Sequence, residues 1–324
     1  MEKPSWHFLK SGSGIVGASN LANPLKDTQL RDYEILVREA FQNSYDERIS
    51  QDSFKFKIKK HLISKERCKK FIDAFDLNKI YQQSKYFDDT NNYITNGIKL
   101  LKKCIEGEEE FPILEISDFS SNGLGGRWNR GRNLEDRFYN LVLSINRSRK
   151  QDNNSGENYL GSYGVGKMVF ALSSEIRSIL YYSKFLPDDA LKSENTRLMM
   201  TSFLPLIDNQ EEDTEYSGHA YFGLESNESN NPRKPIINNK ADQFMSDLGF
   251  DVRQENEYGT SVYLPFCNFE INAIKSAFEK WWWPALLTNP NVLIELEDEF
   301  GNIFHPNPSN NQFTKAFTNI FNKE

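Results

Sequence analysis

Apolar and polar positions first form a regular pattern between residues 27 and 48, where apolar side chains recur at helical spacing. The pattern predicts a helix, with Asp27 or Thr28 as its N-cap. Strict alternation follows at residues 54–59, Phe-Lys-Phe-Lys-Ile-Lys. This alternation predicts a half-buried strand that keeps its lysines on the solvent-exposed face.

The remaining pattern is a succession of strands with few regular helical crossovers between them. Consecutive strands of this kind predict an α+β fold, and we expect a two-layer sandwich in which helices cover one face of a mixed, mainly antiparallel sheet. We expect a main domain over residues 1–266 and a βαβ-like extension or partial second domain over 267–324. The predicted helices cover 64–105 (interrupted at 88–92), 134–147 and 270–287, and the predicted strands lie at 112–116, 177–184, 197–204, 215–224, 259–265 and 292–297.

Composition narrows the class of protein. The chain has 324 residues, of which 38% are hydrophobic and 26% charged, as in a soluble globular protein. Neither a membrane-spanning run nor a signal peptide is apparent, so we expect a cytoplasmic protein. The three cysteines (Cys68, Cys104 and Cys267) are isolated from one another and from the histidines, which predicts reduced thiols rather than a zinc site.

The net charge of −7 argues against nucleic-acid binding over the whole surface. A local contact through the lysines at 55–60 stays open as an alternative. A solvated lysine face is the favoured reading of that strand.

The first candidate binding segment is the predicted helix at residues 39–46, Glu-Ala-Phe-Gln-Asn-Ser-Tyr-Asp. Glu39, Asn43 and Asp46 stand at i, i+4 and i+7, so their side chains share one helix face. A solvated polar stripe is the plain alternative. Because apolar residues interleave with these polar ones, we expect part of the face to line a cleft.

The second segment is a loop that follows the predicted strand at 112–116. Asp118 enters the loop, and Gly123, Gly125 and Gly126 follow it. Glycine permits close approaches that a Cβ blocks, and a carboxylate accepts a hydrogen bond from an exocyclic amine such as that of adenine. Taken alone, the segment also fits a simple Asn-Gly turn.

The third segment is a glycine-rich turn, Gly-Ser-Tyr-Gly-Val-Gly-Lys, which opens a predicted helix. Exposed backbone N–H groups, the helix start and a lysine charge together suit a triphosphate. A glycine hinge at a helix start is the alternative. The candidate phosphate-binding residues are Gly161, Gly164, Val165, Gly166 and Lys167.

A Gly-Thr pair at residues 259–260 opens a predicted strand and completes a series of four segments. In this order, the ExxxNxxD helix, the Asp-Gly loop, the GxxGxGK turn and the Gly-Thr pair resemble the motifs of the GHKL ATPases. That family shares the Bergerat fold and includes gyrase, the heat-shock chaperone, histidine kinases and MutL. The resemblance covers about residues 30–265. One departure is that Asp118 and Gly123 stand five residues apart, whereas the family's first glycine usually follows its aspartate more closely.

The resemblance implies that the chain is an ATPase of the hydrolysing branch, with ATP and Mg²⁺ as its ligands. Glu39 would be the general base that activates water, and Asn43 would bind Mg²⁺ through its side-chain oxygen. The turn at 161–167 would hold the β- and γ-phosphates. Phosphoryl transfer of this kind depends on positioning and charge stabilisation more than on covalent chemistry.

At the other end of the nucleotide, the resemblance implies that Asp118 recognises the adenine amine within the loop of Gly123 and Gly125. Thr260 would assist there through water. Asp46 would lie near the adenine rim or support the helix motif.

Three other functions compete with this interpretation. A P-loop NTPase would need Ser or Thr after Lys167, where this chain has Met168, and a buried strand before the turn, where residues 153–159 are polar. A histidine kinase would need a phospho-acceptor histidine on a dimerising helix, and none of the four histidines has that setting. A non-hydrolysing module that only senses ATP stays open.

Residues 127–160 lie where the GHKL family keeps a mobile lid, and their arginines give them a basic character. A solvated basic helix is the alternative. We expect ATP-dependent lid closure and a homodimer formed through residues 1–26, driving a protein partner or a C-terminal effector. The pathway is left open: DNA repair, chromatin and anti-phage defence all fit, and a chaperone fits less well.

Overall fold

The computed structural model describes residues 2–12, 29–50, 53–87, 94–129, 135–144, 168–187, 193–228, 231–310 and 314–316. Within these ranges, twelve strands form one sheet. The strands are β1 Ser5–Lys10, β2 Phe54–Ile63, β3 Phe111–Phe119, β4 Ser178–Lys184, β5 Thr196–Phe203, β6 Ile207–Asn209, β7 Thr214–Glu228, β8 Asn231–Lys234, β9 Ile236–Ile237, β10 Gly259–Pro265, β11 Val292–Glu297 and β12 Ile303–Phe304.

Eight α-helices accompany the sheet in the described part of the chain. They are α1 Asp32–Asp46, α2 Lys65–Ala74, α3 Leu77–Gln83, α4 Thr95–Ile105, α5 Met168–Ser173, α6 Asn239–Asp247, α7 Ile271–Trp281 and α8 Trp283–Thr288. Within the predicted helix at 134–147, the described residues form a short π-helical turn at Tyr139–Leu143.

The main path of the sheet runs β1-β7-β5-β4-β10-β3-β2-β11-β12. Neighbouring strands are antiparallel, except that β11 lies parallel to β2. The α+β class and the mixed, mainly antiparallel sheet are therefore confirmed.

Helices cover both faces of this sheet, so the expectation of helices on one face is wrong. One buried cluster joins α1, α5 and α7 to residues such as Tyr181 of β4. The other joins α2, α3, α4 and α6 to residues such as Tyr182, the next residue along the same strand. Since successive side chains of a strand point to opposite faces, a strand buried throughout its length, as β4 is, requires a covering layer on each side. The result is three layers rather than two.

Helix α1 begins later than the sequence pattern suggests. Asp32 is its first residue and Arg31 takes the cap position, whereas the predicted caps, Asp27 and Thr28, lie outside the described residues. The Glu34 carboxylate accepts a hydrogen bond from the Arg31 backbone N–H at 3.1 Å. This contact satisfies one of the free N–H groups at the helix start and fixes the beginning of α1 there.

The lysines of β2 are occupied by carboxylates of the neighbouring strand. Glu295 lies between Lys55 and Lys57, at 3.1 and 3.2 Å, and Glu297 lies between Lys57 and Lys59, at 2.6 and 2.9 Å. Hydrogen bonds and the lysine charges outweigh burial and lower the pKa of both carboxyls. This ion-pair ladder explains the parallel β2–β11 register and gives the alternating lysines a structural role.

The C-terminal residues extend the same sheet and the same core. Strand β11 pairs with β2 along its length, and helix α7 packs against α1. The predicted boundary near residue 266 does not coincide with a break in the sheet, and a division into two domains stays a prediction. All three cysteines are buried and free. No helix among the described residues is both long and apolar enough to traverse a membrane.

Candidate functional site

The site is centred on the carboxylate of Asp118, at the end of β3 on the face that α1 covers. Asp118 is buried, and its Oδ1 accepts hydrogen bonds from the Thr260 backbone N–H at 3.0 Å and from the Ser121 hydroxyl. The Ser44 hydroxyl of α1 donates a further hydrogen bond to this carboxylate. Three of the four predicted segments therefore meet at one side chain.

Burial also changes the electrostatics of this group. It raises the pKa of the Asp118 carboxyl, against the lowering influence of the Arg253 charge and of the three hydrogen bonds. A buried carboxylate is costly unless it is paired or hydrogen-bonded. A raised pKa in a polar constellation is a common property of functional sites.

The Gly-Thr pair contacts Asp118 directly. Gly259 has φ +148°, and a Cβ there would lie 2.2 Å from the Asp118 carbonyl oxygen and 2.7 Å from its Oδ1. Only glycine permits this approach without displacing β3. The Thr260 hydroxyl lies 3.1 Å from the Ser183 hydroxyl of β4, so the strand-opening pair joins β3, β10 and β4 at one point.

Helix α1 also carries the predicted trio, whose members differ in exposure. Glu39 and Asn43 are half-buried, whereas Asp46 is exposed near the helix end. Burial raises the pKa of the Glu39 carboxyl, opposed by the neighbouring charge of Arg38. A carboxylate with a raised pKa is better suited to accept a proton near neutral pH than an ordinary one.

The glycines of the second segment make close approaches to the protein itself. Gly123 has φ +64°, and a Cβ there would lie 2.4 Å from the carbonyl oxygen of Lys184. A Cβ at Gly125 would lie 3.2 Å from the ring of Phe185. Both residues therefore shape the loop against the end of β4, and a direct contact of either with a nucleotide stays a prediction.

Two buried side chains hold this loop in place. The Leu124 backbone N–H donates to the Ser183 hydroxyl at 2.8 Å, and the Leu124 carbonyl accepts from Arg197 Nη1 at 3.2 Å. Arg197 is fully buried, pairs with Glu194 at 2.8 Å and lies over the ring of Phe185. The loop is thus fixed to β4 and β5 from behind.

The C-terminal end of α1 is tied to the same loop through Glu47. Its carbonyl accepts from the Asn122 backbone N–H at 2.9 Å, and its carboxylate accepts from Arg137 Nε at 2.8 Å. Arg137 lies in the described part of the predicted lid region, 127–160. The helix, the Asp118 loop and the start of that region are therefore mechanically connected.

The third segment lies outside the described residues, and with it Gly161, Gly164, Val165, Gly166 and Lys167. The next residue, Met168, begins α5, which packs against α1. Most of the region 127–160 and residues 13–28 of the N-terminal segment also fall outside the described part of the chain. Their predicted roles stay predictions.

The sequence motifs missed several residues that build the site. Ser44, Ser121 and Ser183 are common residue types with no distinctive spacing, and Arg253 stands in a loop without a motif. A weak signal was available for Ser183, since a polar residue ends the apolar run of β4.

No cluster of three or more His, Cys, Asp or Glu side chains suited to a metal ion occurs among the described residues. The amide oxygen of Asn43 is a ligand type that Mg²⁺ accepts together with phosphate oxygens and water. In comparisons of the sequence with models of protein families and with curated proteins, nothing matches.

Proposed function

We propose that the chain binds ATP with Mg²⁺ on the α1 side of the ends of β3, β10 and β4, and hydrolyses it. The observation that carries the proposal is the Asp118 carboxylate, which is buried and is hydrogen-bonded by α1, by its own loop and by Thr260. Such a fixed acceptor suits the exocyclic amine of adenine. The bonds that fix it come from three sequence segments that resemble GHKL motifs.

The α1 side chains supply the chemistry of this proposal. Glu39 takes the proton from the attacking water, and its raised pKa favours that role. Asn43 stands one helical turn further on, and its side-chain oxygen would hold Mg²⁺. When bound, Mg²⁺ would supply positive charge to the phosphates during transfer.

Helix α5 supports the position of the phosphates. It packs against α1 and begins immediately after the glycine-rich turn at 161–167. We propose that this turn holds the triphosphate next to Glu39 and Asn43. Lid closure and an ATP-dependent homodimer belong to the same proposal and rest on the resemblance alone.

Two variants test the proposal, one directed at ATP binding and the other at ATP hydrolysis. Asp118→Asn keeps an oxygen for the Thr260 and Ser121 hydrogen bonds but presents an amide where adenine needs an acceptor. We expect Mg·ATP binding, measured by calorimetry, to weaken at least 10-fold. Glu39→Gln should bind Mg·ATP like the wild type. It should release phosphate at least about 100-fold more slowly than the wild type.

Glu66→Gln is the matched control, because Glu66 is an exposed carboxylate on α2 with no part in the site. It should leave both measurements unchanged. Binding of ATP without phosphate release by the wild type would instead support the non-hydrolysing sensor. No binding at all by a folded wild-type chain would refute the proposal.

A further inference from the structure

Arg253 is a buried arginine directly behind the candidate base-recognition residue, in the loop between α6 and β10. It is 5% exposed. Its Nη2 donates hydrogen bonds to the Asp118 carbonyl oxygen at 2.8 Å and to the Ser261 hydroxyl at 2.9 Å. The guanidinium also lies over the ring of Phe119, 4.7 Å from its centroid. One side chain thus joins the end of β3 to the start of β10.

The backbone of Arg253 is fixed as firmly as its side chain. Its N–H donates to the Tyr182 hydroxyl at 3.2 Å, and its carbonyl accepts from Lys184 Nζ at 3.2 Å. Tyr182 in turn donates to Asp242 of α6 at 2.7 Å. An arginine held at so many points keeps its charge in one place, which a flexible surface arginine does not.

That charge is a neighbour of the Asp118 carboxylate. Arg253 Nη1 and Asp118 Oδ1 lie 2.8 and 2.7 Å from the position that a Cβ would take at Gly259. The missing Cβ therefore leaves room for the two groups to approach each other. A neighbouring opposite charge favours the ionised carboxylate, so Arg253 works against the burial that raises the pKa of the Asp118 carboxyl.

On the basis of the proposed function, we propose that Arg253 is a positioning residue that determines base selectivity. It holds the Asp118 backbone and keeps its carboxylate a pure hydrogen-bond acceptor, so that the site takes a base with an exocyclic amine and rejects one with a carbonyl at the same place. Adenine is the first kind of base and hypoxanthine the second. A protonated Asp118 would be able to donate to that carbonyl, and the discrimination would be lost.

Arg253 is the charge with the largest influence on the Asp118 pKa after burial itself. Other ionisable groups stand on the elements around Asp118, and substitution of Arg253 leaves all of them in place. They are Glu39 and Asp46 of α1, Lys57 and His61 of β2, Glu115 of β3 and Lys184 of β4.

The test compares binding of ATP and of inosine triphosphate, both with Mg²⁺, to the full chain between about pH 6 and pH 9. We expect the wild type to prefer ATP by at least 10-fold. In Arg253→Met the preference should fall about 10-fold at neutral pH. The pH at which ATP binding is half lost on acidification should rise by about 1 to 3 units.

Arg197→Met is the control for loss of a buried guanidinium that supports the same loop. Arg197 holds the Leu124 carbonyl and pairs with Glu194. Its removal should therefore weaken the binding of both nucleotides alike and leave the ratio of their affinities unchanged. Arg253→Lys keeps the charge but cannot bridge the Asp118 carbonyl and Ser261 together. Its preference for ATP should fall about 3-fold, with a smaller displacement of the pH profile.

If Arg253→Met does not fold, Arg253→Lys decides the question, since an unchanged ratio there overturns the inference. An Arg253→Met protein that folds and keeps the wild-type ratio and pH profile overturns it too. A wild-type chain that binds neither nucleotide overturns the proposed function and this inference together. The two failures are therefore distinguishable.

Discussion

Gly259 provides a direct test of how closely β10 approaches β3 at the candidate site. In Gly259→Ala the new Cβ would lie 2.2 Å from the Asp118 carbonyl oxygen, 2.7 Å from Asp118 Oδ1 and 2.8 Å from Arg253 Nη1. The nearest of these atoms belongs to the backbone of β3, which cannot rotate away as a side chain would. The residue also has φ +148°, a conformation that alanine rarely adopts.

The steric overlap and the unfavourable backbone conformation each cost stability. The two costs can be estimated separately and added. Overpacking of a well-packed interior costs about 1–3 kcal/mol, and the unfavourable backbone conformation costs about 1–3 kcal/mol. We therefore expect Gly259→Ala to lower the free energy of unfolding by roughly 2–6 kcal/mol. A domain with a free energy of unfolding of about 10 kcal/mol, in the middle of the usual range, would remain largely folded after this loss.

Two other glycines provide matched controls. Gly301 also has a positive φ, +84°, but a Cβ there meets nothing within 4 Å, so Gly301→Ala carries the conformational cost alone. A Cβ at Gly12 also meets nothing within 4 Å, and Gly12 does not have a left-handed conformation. Gly12→Ala should therefore change the free energy of unfolding by less than about 0.5 kcal/mol.

Urea unfolding followed by tryptophan fluorescence measures all three variants, and calorimetry measures their ATP binding. The loss in Gly259→Ala should exceed that in Gly301→Ala by about 1–3 kcal/mol. Only Gly259→Ala should also weaken ATP binding. Equal losses in the two variants would show that β3 relaxes freely, and the argument for a required close approach would fail.

Other features of the structure give further expected outcomes. Trp6→Phe removes a buried 2.7 Å hydrogen bond to the carbonyl just past α2, and urea unfolding should show a loss of about 1–3 kcal/mol. Glu297→Gln should cost about 1 kcal/mol, an effect that fades in high salt. It should also fade as the pH falls through the lowered pKa of that carboxyl. Burial raises the pKa of the Cys104 and Cys267 thiols to about 12, so a thiol reagent at about pH 8 should modify them only after unfolding. As the pH rises above the ordinary carboxyl value of about 4, Asp118→Asn should gain stability relative to the wild type in urea unfolding, because the pKa of the Asp118 carboxyl is raised in the folded state.

The positions of most strands were predictable because they depend on local patterns. Alternation located β2, and short apolar runs located β4, β5, β10 and β11 to within a few residues. The start of α1 was not predicted, since it depends on one contact between Glu34 and the Arg31 backbone. Caps of equal local quality compete within a few residues, and tertiary contacts decide between them.

The number of helix layers that cover the sheet was harder to predict, because local patterns indicate it only weakly. A continuous apolar run such as that of β4 is typical of a strand covered on both sides. The run alone does not decide the matter, because the same strand also fits a sheet whose helices all lie on one face. The decision depends on where α2, α3 and α4 pack, and their partners lie far away in sequence, as the contact between Phe75 and Phe222 illustrates.

The candidate site was only partly predictable for the same reason. The contact between Asp118 and Thr260 joins residues 142 positions apart, and only the resemblance to a known order of motifs brought them together. No such order exists for Arg253 or Ser183. What connects each of them to the site is a contact of its polar atoms with the Asp118 loop or the residues that adjoin it.

The sign of the Asp118 pKa shift bears on whether this carboxylate serves stability or binding. Its folded-state pKa lies above the ordinary value because burial outweighs Arg253 and the hydrogen bonds. As the pH rises from the ordinary carboxyl value through the raised one, the unfolded chain gives up its proton first, so the folded state loses stability with rising pH. An amide at this position would accept the same hydrogen bonds from Thr260 and Ser121 without that loss. A carboxyl whose ionisation costs stability, yet which is held by contacts from three segments, is in keeping with the proposed role in binding.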